Sequence, residues 1–331
     1  MTRSERRAAR IAVDLLGGDD APAVVVDGAL LALDADTQLR LLPVGPPAVL
    51  DDLLAQVPAA HRERVDPVPV HTDGAPPVHA AVHLISVDRA DAVVSAGATG
   101  SAVRSAVAHC GRYPGLRRPA LAVTVPAARG PVILLDVGAV PDPTADDLIR
   151  HAVLGAGYAT ATLDVTRPRV GLLSIGTEPG IGDQLRRDAD RRLAAGVLPP
   201  DADYVGLVEG YDVPVGGMVD VVVTDGFTGN VLLKGIEGAL RLGGGDLLGG
   251  DRVPRAAALL GVAAPVVVCH GAASGPDLAS GIAYAARMVD GRTVEAVARS
   301  DQMFRELTRA PGGARGDEAT TGHTERERRP R

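Results

Sequence analysis

The chain has 331 residues, 46% of them hydrophobic, which is enough for one large α/β unit or two small domains with a sizeable core. A net charge of -7 without a basic stripe, and an aromatic content of only 2%, argue against binding nucleic acid through counterion release or base stacking. Two cysteines, Cys110 and Cys269, are too few for a disulfide framework. No apolar signal core follows the basic N-terminus, and the longest apolar stretch, Ala256 to Val268, is too short to span a bilayer. We therefore expect a soluble, cytoplasmic protein.

Nine apolar runs, several almost continuous in Val, Ile and Leu, predict strands buried on both faces of a mostly parallel sheet. In chain order they are Ile11 to Asp14, Leu39 to Val44, Ala92 to Ser95, Leu121 to Val125, Val132 to Asp136, Val170 to Ile175, Tyr204 to Val208, Val219 to Thr224 and Val266 to Cys269. Helical patterns alternate with them at Pro22 to Leu33, Thr99 to Ala108, Thr144 to Thr160, Gly182 to Ala195, Thr228 to Leu242 and Pro276 to Val289. This alternation predicts a three-layer α/β/α sandwich.

Loops and polar ends set the expected boundaries. We predict a flexible N-terminus over residues 1–10, one α/β domain over residues 11–295 and a disordered tail over residues 311–331. A subdivision is predicted near residue 115, with the C-terminal helix returning to the first half. Pro43 to Pro47 and Gly243 to Gly250 are predicted to be loops.

Two glycine-rich turns each follow a predicted strand and open a helix, where backbone N–H groups can bind an anion. The first lies within Ile11 to Pro22 and the second within Val94 to Ala102. Their candidate residues are Asp14, Gly17, Gly18, Asp19, Ser95, Gly97, Thr99 and Gly100. The alternative is that both are ordinary, closely packed turns between a strand and a helix. Neither turn has the GK[ST] ending of a Walker loop or a GxGxxG dinucleotide fingerprint.

Carboxylates follow two later strands. Asp136 stands next to a glycine, and Glu178 is flanked by Gly176, Gly180 and Gly182 before a helix. Such a carboxylate can orient a cation or act as a base. It can equally be a structural acid or a first-turn helix acid.

The most specific motif runs from Asp220 to Gly238. A strand ends at Asp225, and a turn of Gly226, Phe227, Thr228 and Gly229 leads into a helix. Asn230, Lys234 and Glu237 then fall on one helical face. A surface ion pair is the simpler reading. However, Lys234 and Asn230 are the only Lys and the only Asn of the chain, which favours a binding role.

His270 and Gly271 follow the last predicted strand. A histidine at this position can polarise a carbonyl or contact phosphate, or it can be structural. Neither Cys269 beside His270 nor His109 beside Cys110 has the spacing of a metal site.

Taken in this order, the motifs resemble those of the acyl-carrier-protein-dependent phosphate acyltransferases of bacterial phospholipid synthesis. The family motif D-G-F-x-G-N-x-x-L-K-x-x-E-G is complete from Asp225 to Gly238, and the resemblance covers roughly residues 10–295. Further matches to the family motifs are Asp14, Gly17, Gly18, Asp19, Pro22, Ser95, Ala96, Gly97, Thr99, Gly100, Asp136, Gly138, Ala139, Ile175, Gly176, Glu178, Gly180, Gly182, His270 and Gly271.

The resemblance implies a fold like that of isocitrate dehydrogenase and phosphotransacetylase, and a homodimer. It implies a reaction between acyl-carrier-protein thioester and inorganic phosphate, without cofactor or metal. Lys234 would neutralise phosphate, Asn230 would hydrogen-bond carbonyl or phosphate, and His270 would donate or shuttle a proton. Asp225 completes the implied catalytic set. The other matched site residues, together with Gly226, Phe227, Thr228, Gly229 and Glu237, would bind substrate and phosphate.

The chain also departs from the family. Family Asn, Glu and Lys positions are replaced by Ala98, Val140, Ser174, Thr177, Ile181 and Val268. His71 to Val78 replaces a longer basic, Ser-rich segment, and Gly243 to Arg255 replaces a helical hairpin that serves dimer packing and membrane contact. These losses argue against membrane association. They keep two alternatives open: a non-catalytic paralogue that binds carrier protein or an acyl ligand, and a transferase acting on a coenzyme A thioester.

Overall fold

The computed structural model describes residues 8–71, 75–242 and 256–309. Its strands are β1 (Arg10–Asp14), β2 (Arg40–Gly45), β3 (Val68–Pro69), β4 (Ala92–Ser95), β5 (Ala120–Val125), β6 (Val132–Leu135), β7 (Arg169–Leu173), β8 (Asp203–Val208), β9 (Val221–Val223), β10 (Ala256–Leu260) and β11 (Val266–Cys269). Its helices are α1 (Ala23–Ala35), α2 (Pro47–Gln56), α3 (Pro77–Ser86), α4 (Thr99–Cys110), α5 (Ala145–Thr162), α6 (Gln184–Ala194), α7 (Asp212–Val215), α8 (Gly226–Leu242), α9 (Gly275–Asp290) and α10 (Thr293–Arg309), with a 3-10 helix at Ala59–Arg64.

The strands of the described residues form one sheet in the order β3-β2-β1-β4-β11-β10-β5-β6-β9-β7-β8. Strands β3, β2, β1, β4 and β11 pair in parallel, as do β6, β9, β7 and β8. The pairs β11/β10, β10/β5 and β5/β6 are antiparallel. The two parallel groups therefore run in opposite directions. The carboxyl ends of the strands in one group lie beside the amino ends of the strands in the other group. The mostly parallel sheet is confirmed.

Apolar side chains cover both faces of this sheet. On one face, Ile11 and Val13 of β1 pack with residues of α1, α5, α9 and α10. On the other face, Ala12 of β1 packs with residues of α3, α4, α7 and α8. Alternate residues of a strand point to opposite faces, so strands rich in Val and Leu can fill both layers. The three-layer sandwich is confirmed.

The predicted strands are all present, but two strands were missed. The stretch Ala256 to Val268 forms β10 and β11, and between them the backbone turns at Gly261, which has a φ of +93°. Strand β3 has only two residues and lies at the sheet edge. Helices α2, α3, α7 and α10 were not predicted either.

Two predicted boundaries need correction. Pro43 to Pro47 is not a loop, since Pro43 lies in β2 and Pro47 opens α2, where the missing N–H of proline has no partner to lose. Arg10 belongs to β1 and is bound to Asp88 and Asp91, so it is not part of a flexible end. The predicted Gly243 to Gly250 loop and the 311–331 tail lie outside the described residues.

The predicted subdivision falls in the segment between α4 and β5. Helix α9 packs on α1, β1 and β4, while α10 packs on α5. The subdivision itself stays a prediction. Within the described ranges, no helix is both long and apolar enough to cross a bilayer.

Candidate active site

A cleft of about 580 Å³ opens on the sheet face that carries α4 and α8. Its floor is apolar and comes from the three central strands: Leu121 and Val123 of β5, Ala257 of β10 and Val268 of β11. The turns after β1, β4 and β11 form one wall, and α8 forms the other. The cleft therefore joins an apolar surface to polar groups from both halves of the chain.

The two glycine-rich turns are held together by buried polar contacts. Asp14, at the end of β1, accepts hydrogen bonds from Ser95 Oγ at 2.7 Å and from the backbone N–H of Leu16 at 3.1 Å. Ser95 Oγ in turn accepts the N–H of Gly97 at 3.0 Å. Burial raises the pKa of Asp14, against the lowering effect of its hydrogen bonds from Ser95 and Leu16. Asp14 and Ser95 thus connect the two turns through buried hydrogen bonds, and they do not line the cleft.

The backbones of the two turns lie so close together that a side chain would not fit between them. A Cβ atom at Gly17 would lie 2.7 Å from the backbone nitrogen of Gly97, closer than real Cβ contacts come. The N–H of Asp19 donates to the carbonyl of Gly271 at 2.7 Å, which joins the first turn to the end of β11. Three turns far apart in sequence therefore meet at one end of the cleft.

His270 faces the cleft in a defined orientation. Its Nδ1 atom accepts the backbone N–H of Ala272 at 3.1 Å. A neutral ring that accepts at Nδ1 carries its hydrogen on Nε2. His270 therefore presents an Nε2–H donor.

Helix α8 supplies the opposite wall. Asn230 donates one amide hydrogen to the carbonyl of Val137 at 3.1 Å, and Lys234 forms an ion pair with Glu237 at 2.9 Å. The side chain of Glu237 is buried, whereas that of Lys234 is 42% exposed. All three α8 side chains line the cleft, which confirms that they share one helical face. Among the described cleft-lining residues, Lys234 is the only lysine or arginine.

Asp225 holds the start of α8 and does not line the cleft. It accepts the N–H of Thr228 at 2.8 Å and a hydrogen bond from the guanidinium of Arg186. Burial alone would raise the pKa of Asp225, but the hydrogen bonds from Thr228 and Arg186 outweigh it and the pKa is lowered. The helix begins at Gly226, so the predicted turn of Gly226 to Gly229 is the first turn of α8.

Asp136 is a fully buried acid whose four partners are backbone N–H groups. It accepts hydrogen bonds from Leu121, Gly138, Ala139 and Val140 at 2.6–3.1 Å. A Cβ atom at Gly229 would overlap the carbonyl oxygen of Asp136, so α8 rests directly on this turn. The structural interpretation of Asp136 fits these contacts.

The cleft brings together nine of the predicted site residues: Gly18, Asp19, Gly97, Thr99, Asn230, Lys234, Glu237, His270 and Gly271. It is not lined by Asp14, Gly17, Ser95, Gly100, Asp136, Gly176, Glu178, Asp225, Gly226, Phe227, Thr228 or Gly229. Phe227 and Thr228 instead border a second hollow of about 590 Å³ that also contacts Arg186. The catalytic and binding roles of the predicted residues stay predictions.

Sequence reasoning missed the apolar floor and Arg186. The floor residues lie on separate strands, and no spacing in the sequence connects them. Arg186 stands among the many arginines of the chain, and only its contact with Asp225 sets it apart. Two departures from the family motifs, Ala98 and Val268, line the cleft, so apolar groups stand where the family has Asn and Lys.

The chain is similar to known proteins in sequence and in fold. A family model described as a fatty acid synthesis protein matches residues 9–243. Phosphate acyltransferase of Thermobifida fusca (strain YX) is 37% identical over 330 residues, covering 87% of this chain and 90% of that protein. Phosphate acyltransferase of Lacticaseibacillus casei (strain BL23) is 35% identical, covering 87% of this chain and 94% of that protein. A branched-chain phosphotransacylase from Enterococcus faecalis V583 has the same fold, with a TM-score of 0.62, 18% identity and coverage of 85% of this chain and 99% of that one.

Proposed function

Because the chain belongs to the phosphate acyltransferase family, we propose that it transfers a fatty acyl group from acyl-carrier protein to inorganic phosphate for phospholipid synthesis. The products are an acyl phosphate and carrier protein with a free thiol. The observation that carries the proposal is the cleft, in which one cation and several hydrogen-bond donors stand above an apolar floor. We extend the proposal to a cytoplasmic homodimer, as the resemblance implies.

Phosphate binds, in this proposal, between Lys234 and the start of α4. The backbone of Gly97 to Thr99 lines the cleft where α4 begins, and a helix N-terminus attracts anions through its free N–H groups and its dipole. Glu237 holds the Lys234 ammonium at the cleft wall before phosphate arrives. Two opposite walls thus confine the nucleophile, and confinement of a reactant is a large contribution to rate.

The thioester carbonyl lies within reach of His270 and Asn230. His270 presents Nε2–H, and Asn230 keeps a second amide hydrogen after bonding to Val137. Donors of this kind stabilise the oxyanion that forms as a phosphate oxygen bonds to the carbonyl carbon. The C–S bond then breaks, the sulfur leaves as a thiolate, and it takes up the proton that the attacking hydrogen phosphate releases. A thiol has a pKa of roughly 8.5, so the leaving group does not need a strong acid.

The apolar floor accommodates the acyl chain. Leu121, Val123 and Val268 present aliphatic carbon to the cleft. Burying each CH₂ of a fatty chain stabilises the complex by about 0.8 kcal/mol. Because Val268 stands where the family has Lys, we expect weaker phosphate binding and a higher KM for phosphate than in relatives that keep that Lys.

The test is a direct assay on the purified full chain. Acyl-carrier-protein thioesters of several chain lengths, and the matching coenzyme A thioesters, are incubated with phosphate, and acyl phosphate is trapped with hydroxylamine. We expect phosphate-dependent turnover, and a loss of roughly 100-fold in kcat/KM for phosphate in Lys234→Ala. Arg241→Ala, an exposed change on the same helix outside the cleft lining, is the matched control and should keep wild-type activity.

The outcomes separate the alternatives. Turnover only with coenzyme A thioesters would show that the acyl donor is a coenzyme A thioester and not acyl-carrier protein. A folded protein without turnover on any thioester would make it a non-catalytic paralogue that binds carrier protein or an acyl ligand. Full activity in Lys234→Ala would overturn the phosphate site.

A further inference from the structure

Three histidines cluster on the surface formed by α3 and α4, and none of them lines the cleft. His79 and His83 are one helical turn apart on α3, and His109 lies near the end of α4. Helices α3 and α4 pack side by side. The ring centroids lie 4.4 Å apart for His79 and His109, and 5.1 Å apart for His83 and His109.

The spacing of His79 and His109 is that of two ligands on one ion. Their Nε2 atoms are 3.1 Å apart. With zinc–nitrogen bonds of about 2.0–2.1 Å, this separation corresponds to an N–Zn–N angle of roughly 100°, close to tetrahedral. Without a metal ion, an Nε2–H···Nε2 hydrogen bond between the two rings explains the same distance. A metal ion could then replace the hydrogen that the two rings share.

His83 has the tautomer needed for a third ligand. The hydroxyl of Ser86 donates its one hydrogen to the carbonyl of His83 at 2.8 Å. The 3.1 Å contact between Ser86 Oγ and His83 Nδ1 must then carry a hydrogen from Nδ1. The lone pair of His83 Nε2 is therefore free, and Ser86 supplies the outer hydrogen bond that metal-binding imidazoles commonly make.

We propose that His79, His83 and His109 form a surface site for a divalent transition-metal ion, with Zn²⁺ as its natural occupant. Imidazole nitrogens suit Zn²⁺, Ni²⁺ and Cu²⁺, and two histidines at i and i+4 on one helix are a recurrent zinc-binding arrangement. In the described part of the chain, no group of three or more His, Cys, Asp or Glu side chains is arranged so that it could hold a metal ion without rearrangement. His79 and His109 are the preset pair, and the proposal requires the His83 side chain to rotate until its Nε2 atom reaches the same ion.

The site is independent of the acyl transfer reaction and has a structural consequence. An ion held by His79, His83 and His109 ties α3 to the end of α4. Because the ion binds the folded chain in preference to the unfolded one, it stabilises the fold by mass action. At a metal concentration 100 times the Kd, we expect the melting temperature to rise by about 3–5 °C.

The test uses the full chain without a histidine tag. Equilibrium dialysis against Zn²⁺, followed by metal analysis, is expected to give one ion per chain with a Kd in the micromolar range, and His79→Gln and His109→Gln should each weaken binding at least tenfold. The matched control is His61→Gln, a surface histidine bonded to Asp34 and Arg64, which should bind zinc like the wild type.

Three results would overturn the proposal. They are less than half an ion per chain at saturating zinc, wild-type binding by a folded His109→Gln variant, and equal losses in His61→Gln and His109→Gln. Circular dichroism of each variant checks that it is folded. The melting-temperature rise provides a second readout and should disappear in His109→Gln.

Discussion

The ion pair between Arg186 and Asp225 offers the sharpest test of how α8 is held in place. Both side chains are largely buried, with 13% of Arg186 and 8% of Asp225 exposed. Asp225 also accepts the N–H of Thr228 at the start of α8, the helix that carries Lys234. Replacing Arg186 by Met keeps an aliphatic side chain but leaves the carboxylate without its cation.

The magnitude follows from this burial. Removing one partner of a buried ion pair costs roughly 3–5 kcal/mol. The N–H of Thr228 still satisfies one oxygen of Asp225, so we expect about 3 kcal/mol for Arg186→Met. Arg186 keeps a second partner in Asp183, so Asp225→Asn should cost less, about 2 kcal/mol. The double variant buries no unpaired carboxylate, and we expect it to cost about 3 kcal/mol rather than the summed 5.

Urea unfolding at pH 7, followed by circular dichroism, measures all three free energies. Arg191→Met is the matched control, because Arg191 lies on the same helix and pairs at the surface with Asp188. Its cost should stay within about 0.5 kcal/mol. If the costs of the two single variants simply add in the double variant, the two side chains are not coupled and the reasoning is refuted.

Two further predictions concern packing and pH. Gly229→Ala should destabilise the protein by more than about 2 kcal/mol, because its Cβ would overlap the Asp136 carbonyl. A Cβ at Gly235 on the same helix meets nothing within 4 Å, so Gly235→Ala should stabilise the protein by about 0.5–1 kcal/mol. Equal melting temperatures of the two variants in thermal unfolding would contradict this prediction. His151 is fully buried with no partner at Nδ1, and burial lowers its pKa against the opposing effect of Asp136. Around and below pH of about 6.5, the unfolded chain therefore binds more protons than the folded chain, and the free energy of unfolding should fall as the pH is lowered from 7.5 to 5.5. This fall should be less steep in His151→Met. Equal pH slopes of the unfolding free energy in the two proteins, measured with urea, would refute the role of His151.

The strands with continuous Val, Ile and Leu were predictable because burial on both faces leaves a direct mark on composition. Strand β10 leaves no such mark. Three of its five residues, Ala256–Leu260, are alanine, which has little intrinsic preference for strands. The pairing of β10 with β5 and β11 therefore decides its conformation. Helix α10 was missed because only a narrow stripe, including Val297 and Phe304, is buried. The predicted domain end at residue 295 accordingly falls inside this helix.

The site was predicted in part for a similar reason. Glycine turns and an unusual Lys and Asn mark the cleft walls in the sequence. The sequence does not tell whether a carboxylate at a strand end faces a ligand or the backbone. Asp14 and Asp136 both turn toward hydroxyl or amide donors inside the fold, and only three-dimensional contacts reveal this.

The place of β10 and β11 in the sheet has a consequence for synthesis of the chain. Both strands come from residues 256–269, yet they lie between β4, which belongs to one parallel group, and β5, which pairs with β6 of the other group. A nascent chain that ends at residue 242 therefore presents two half-sheets with bare inner edges, a state prone to aberrant strand pairing. Arrival of this hairpin covers both edges and completes the cleft floor in one step. A fragment that lacks the hairpin should have neither a continuous sheet nor a complete cleft floor.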